Sequence, residues 1–138
     1  METTKKFHSG PACVYRGVRY NTDGSHDGLV TLFDVGTGRA VTTVPIAVLD
    51  EWFTVRTVGT FIGEPFQLSM EIDHTDYYMS YLGGNGSAIA AEWRARGDDS
   101  RFWQEDRYTY FARVPIADVQ DVHEEREDIL TAWRADNP

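Results

Sequence analysis

Phe102-Trp-Gln-Glu-Asp-Arg-Tyr-Thr-Tyr-Phe-Ala-Arg-Val114, then Pro115, then an acidic run to Asp136, is the stretch whose reading decides the fold. In its first part Tyr108, Tyr110, Ala112 and Val114 share one face by the period of two, and Arg107, Thr109 and Arg113 share the other. That pattern predicts a strand. Past Pro115, the residues Ile116, Val119, Val122, Ile129, Leu130 and Trp133 recur near a period of 3.6, with Asp118, Asp121, Glu124, Glu125, Glu127 and Asp128 opposite them. The spacing predicts an amphipathic helix near 116–135, laid on a sheet with its carboxylates outward. Arg126 falls within the apolar arc of that wheel, where a guanidinium must snorkel or find a partner.

Upstream, the chain reads as short strands joined by turns. Ala12 to Tyr20 is a first strand, and Asn21 to Gly28 is a polar turn region. Leu29 to Val35 and Arg39 to Val44 form a hairpin about Gly36-Thr-Gly38, closed by Pro45, which has no amide to donate. Ile46 to Trp52 reads as a helical turn. Short strands followed by Thr-Val-Pro-Ile-Ala-Val-Leu suit an SH3-like barrel in this N-terminal part. Phe53 to Ile62 is a strand with a bend expected at Gly59. Phe66 to Ile72 alternates cleanly, and Tyr77 to Leu82 pairs back on it. Gly83-Gly-Asn-Gly-Ser87 then opens a helix near 87–96, capped by Asn85 or Ser87 and stopped by Gly97. The expected fold is α+β: a bent, mainly antiparallel sheet with a short helix and a C-terminal one. A tail to Gly10 and one globular domain over 11–138 are expected, with no internal repeat.

Charge narrows the function classes. The chain has 138 residues and a net charge of −9. Residues 1–50 balance, five acidic against five basic, so the seventeen acidic and eight basic residues from Glu51 onward carry the whole excess. Such a surface repels phosphate-rich partners, so direct nucleic-acid binding is not expected. No run is apolar enough to span a bilayer, and the start lacks the apolar segment of a secretory signal. One cysteine, Cys13, precludes an internal disulfide or a multi-cysteine zinc site and suits a reducing, cytoplasm-like compartment.

Candidate chemistry is sparse. The glycine-rich turn before Ser87 lacks the lysine of a P-loop. Asn21, Asp23, Ser25 and Asp27 miss the glycine and glutamate of a calcium loop. Glu71, Asp73, His74 and Asp76 crowd one connection, which reads as a solvated hairpin tip. No metal or cofactor is therefore expected, and no catalytic residue is assigned. The favoured reading is a non-catalytic acidic module that binds a basic protein surface through Asp118, Asp121, Glu124, Glu125 and Asp128. An inhibitor copying the charge pattern of nucleic acid, and a subunit of a larger assembly or homo-oligomer, are special cases of it. The competing class is a small-molecule-binding protein or enzyme, its pocket between the bent sheet and the C-terminal helix, lined by Arg126, Tyr108 and Tyr110.

Overall fold

The computed structural model describes residues 4–138. It is mostly antiparallel sheet with two short helices. In chain order the elements are β1 (Thr4–Lys6), β2 (Gly10–Tyr15), β3 (Val18–Thr22), β4 (Leu29–Phe33), β5 (Ala40–Pro45), β6 (Glu51–Phe61), β7 (Glu64–Ile72), β8 (Asp76–Tyr81), α1 (Gly86–Arg96), β9 (Phe102–Gln104), β10 (Tyr110–Pro115), β11 (Gln120–Asp128) and α2 (Leu130–Asp136). Single 3-10 turns, Ile46–Val48 and Ile116–Asp118, precede β6 and β11. The chain divides into two compact units: His8–Val55 with Arg126–Pro138, and the residues up to Phe7 with Arg56–Glu125. Strands β6 and β11 each contribute residues to both units, β11 up to Glu125 to one and from Arg126 to the other.

In the His8–Val55 unit the strands run β5-β4-β3-β2, with β2 paired to the first half of β6. Its core gathers Cys13, Val30, Leu32, Val44, Ile46, Leu49, Trp52 and, from α2, Leu130. In the Arg56–Glu125 unit the second half of β6 pairs with β7, then β8, β10 and β9 follow. The alternation of Phe66 and Leu68 in β7 sends both side chains into a core with Met79, Ile89, Trp93, Tyr110 and Val114. Within the expected tail, Thr4–Lys6 pair with Met70–Ile72 of β7.

The two units repeat one plan, and the tetrapeptide that marks it occurs twice in the sequence, against the expectation of no internal repeat. Each has a tight hairpin with two left-handed residues, Arg16-Gly17 and Ile62-Gly63. Each has Val-Pro-Ile-Ala at the end of its penultimate strand, residues 44–47 and 114–117. Pro45 stands opposite Leu29, and Pro115 opposite Asp76, the first residues of β4 and β8. The Ile46 amide donates to Gly28 and the Ile116 amide to Thr75, both at 2.9 Å. The 3-10 turns close through Leu49 N–H to Ile46 and Val119 N–H to Ile116. What differs is the connection before the Val-Pro-Ile-Ala strand: residues 34–39 in one unit, and α1 with β9 in the other.

Three expectations are corrected. Residues 120–128 are a strand, not the middle of a helix over 116–135; only Leu130–Asp136 is helical. The apolar stripe is broken where Arg126 stands between Val122 and Ile129. An extended chain also spreads Glu124, Glu125, Glu127 and Asp128 over two faces instead of stacking like charges at helical spacing. The strands expected over 12–20 and 102–114 are each interrupted by a turn, at Arg16-Gly17 and at residues 105–109. The irregularity expected at Gly59 lies instead in β7 against β8, between Leu68 and Met70. Gly59 serves close approach: a Cβ there would sit 2.7 Å from Val119 Cγ1.

Candidate functional site

The acidic residues singled out in the sequence lie along one connected stretch. Asp118 ends the 3-10 turn, and Val119, 9% exposed, tethers the chain to the core. All nine residues of β11 are then exposed, and five of them are acidic. Among the described residues β11 pairs with β6 alone. A strand with one unpaired edge presents backbone donors and acceptors, and charge on such an edge discourages pairing with copies of itself.

The five carboxylates are not equivalent. Glu125 Oε2 accepts from both Arg56 Nε and Arg56 Nη2, each at 2.9 Å. Asp128 Oδ1 accepts the amides of Leu130, at 2.9 Å, and Thr131, at 3.2 Å, while Oδ2 accepts the Thr131 hydroxyl at 2.6 Å. The Thr131 hydroxyl and amide, ahead of Leu130 and Arg134, hold the Asp128 carboxyl below its ordinary range. Both groups brace the fold. Asp121 takes a left-handed conformation, and its carbonyl lies 2.6 Å from His123 Nδ1. Asp121, Glu124 and Glu127 are the remaining acids of β11, and all three are exposed.

The pocket residues fall in different places. Arg126 lines a cleft of about 330 Å³ with Phe53 and the α2 residues Leu130, Thr131 and Arg134. Its guanidinium lies 4.5 Å from the Phe53 ring centre, and Arg134 donates to the Leu49 carbonyl at 3.2 Å. The Phe53 ring is one contact of this exposed cation, which stands at a position in the apolar period. Tyr108 and Tyr110 line another cleft, beside the start of α1. Tyr110 is buried and Tyr108 is 78% exposed.

The other constellations are structural. Asn85 caps α1 by accepting from Ala88, and Gly97 ends it in the left-handed region. His74 Nδ1 lies 2.9 Å from Glu71 at an exposed tip. Asp76 turns inward instead, 2.8 Å from Arg113 Nε and 3.6 Å from Arg101. No local pattern in the sequence points to this pairing, since Arg113 and Asp76 lie 37 positions apart in the chain. Asp23 accepts the Thr31 amide at 2.9 Å and so belongs to a hairpin. No group of three or more metal-ligating side chains converges among the described residues, and none of their helices is long and apolar enough to cross a membrane. Burial, first, then the nearby Asp50 charge push the Cys13 thiol up to about 11 against a lowering backbone bond. No protein family, curated protein or solved structure matches this chain.

Proposed function

We propose that the protein is a non-catalytic interaction module that docks a basic, extended segment of another protein along β11. The observation that carries this reading is a nine-residue strand, exposed throughout and mostly acidic, paired on one side only. A partner strand adding to that edge gains main-chain hydrogen bonds, while arginine or lysine side chains on its two faces meet Asp121 and Glu127 on one side and Glu124 on the other. Long-range attraction speeds the encounter, and salt weakens it. Asp118 extends the acidic run; Glu125 and Asp128 hold the strand in place while adding to its field. An inhibitor that imitates a nucleic-acid backbone, or an assembly subunit, are forms this docking takes.

We read the His8–Val55 unit as an SH3-like barrel, supported by the 3-10 turn before β6 and the pairing of β6 with β2. The test is titration with a nine-residue peptide in which arginine pairs alternate with threonine pairs, so that cations face both sides of the strand, at about 50 and about 300 mM salt. Binding should weaken at the higher salt and be lost in the triple variant Asp121→Asn, Glu124→Gln, Glu127→Gln, which spares Glu125 and Asp128. Affinity unchanged in that variant discards the proposal.

A further inference from the structure

A second surface holds a basic hollow. Beside α1, β9 and β10 two hollows of about 340 and 550 Å³ share Ala90, Arg94, Gln104 and Tyr110 in their walls. Both volumes fall in the range of small-molecule sites. The larger is lined by Arg94 and Arg107 and by no carboxylate, in a chain whose net charge is −9. Among the described residues neither guanidinium has an ion-pair partner; Arg107 lies only over the Tyr108 ring, 5.6 Å from its centre. Elsewhere in the same unit arginines are spent on carboxylates: Arg56 on Glu125, Arg96 on Glu92, Arg113 on Asp76.

The walls supply the second half of a site. Trp93, Phe102, Trp103 and Tyr110 line the smaller hollow, where Asp99 is the one carboxylate in the wall. Trp93 is 6% exposed, and its indole N–H has no partner among the described residues, a donor left unsatisfied at a cost. Tyr108 stands 78% exposed at the larger hollow and adds nothing to the core. Arginine, tyrosine and tryptophan grouped at a concave surface, with both cations lining the hollow that holds no carboxylate, favour a ligand that is both flat and negatively charged.

We propose that this cleft binds a small aromatic anion, its phosphate or carboxylate held by Arg94 and Arg107 and its ring against Tyr108 and the aromatic wall. This site is distinct from the acidic strand, so the two proposals fail separately. The experiment follows tryptophan fluorescence, which Trp93 and Trp103 report from the wall itself, during titration with phenyl phosphate, benzoate and indole-3-carboxylate. Phenol and inorganic phosphate serve as controls lacking the charge or the ring. Saturable binding of at least one aromatic anion, with both controls about tenfold weaker or worse, is expected. Arg94→Gln and Arg107→Gln should each weaken it roughly tenfold. Tyr108→Ala should weaken it too, with the thermal midpoint of all three variants unchanged because each side chain is exposed. Absence of saturable binding by all three anions overturns the proposal. So does equal affinity for phenol, or affinity indifferent to both arginine substitutions.

Discussion

At the scale of single residues, buried or bonded charge decides what each group contributes. Asp76 is 6% exposed and lies within reach of two guanidiniums, those of Arg113 and Arg101. Its pairing lifts Arg113 further above its ordinary range, chiefly through their hydrogen bond. Asp76→Asn keeps the shape but leaves cations facing a neutral amide, and should cost about 2 kcal/mol in urea unfolding. A loss below about 0.5 kcal/mol would reduce the cluster to ordinary surface pairing. For Asp128 the sign runs the other way from a base. Its folded value lies below the ordinary 3.8, so its contribution is present above that value and fades as pH falls through the lower folded one. Thr131→Val removes the leading cause of the shift. Carbon-detected NMR titration of the Asp128 carboxyl should then give a midpoint nearer 3.8; an unmoved midpoint would mean that the backbone amides alone set it. Cys13, raised to about 11, stays a thiol at neutral pH and should resist alkylation until the protein is unfolded.

At the scale of elements, what was legible depended on whether the signal was local. The cap at Asn85, the stop at Gly97, the alternation through Phe66 and Leu68 and the breaks at Pro45 and Pro115 are all written in neighbouring residues. The acidic strand was not. Its identity depends on β6, some seventy positions away, which supplies Arg56 opposite Glu125 and the Trp52 carbonyl that accepts the Ile129 amide at 3.0 Å. A helical wheel drawn over 116–135 therefore collected two separate apolar groups into one stripe. The acids of the candidate site were legible, but that Glu125 and Asp128 brace the fold through Arg56 and Thr131 was not. The arginines of the cleft carried no motif at all. Gly59 shows the same long-range dependence. Its added Cβ would meet Val119 Cγ1 at 2.7 Å and Leu68 Cδ1 at 3.3 Å, with the Gln120 carbonyl at 3.4 Å. Gly59→Ala should thus destabilise by about 1–3 kcal/mol, as overpacking does. Adding Val119→Ala should recover part of that loss in a double-mutant cycle. Strict additivity of the two changes would show that the crowding lies elsewhere.

At the scale of the whole molecule, the question is whether two units with separate cores behave as two folding bodies. Neither is continuous in sequence: His8–Val55 takes in Arg126–Pro138, and Arg56–Glu125 takes in the residues up to Phe7. The boundary also falls inside β6 and β11, strands of 11 and 9 residues, rather than in linkers. A strand cannot readily keep one half ordered while the other half loses its ladder, because the register of both is set by the same backbone. The expectation of one domain over 11–138 therefore translates into one cooperative transition. The tryptophans divide evenly between the units, Trp52 and Trp133 in one, Trp93 and Trp103 in the other. With phenylalanine replacing the pair of one unit at a time, fluorescence reports each core alone. For each such protein, the fluorescence midpoint in urea should coincide with that from circular dichroism. Adding Gly59→Ala should lower the midpoint reported by Trp52 and Trp133 as far as that reported by the other pair, even though Gly59 belongs to the Arg56–Glu125 unit. Two separated transitions, with the Gly59 substitution moving only one, would instead make the repeated Val-Pro-Ile-Ala plan the mark of two independently folding modules joined through shared strands.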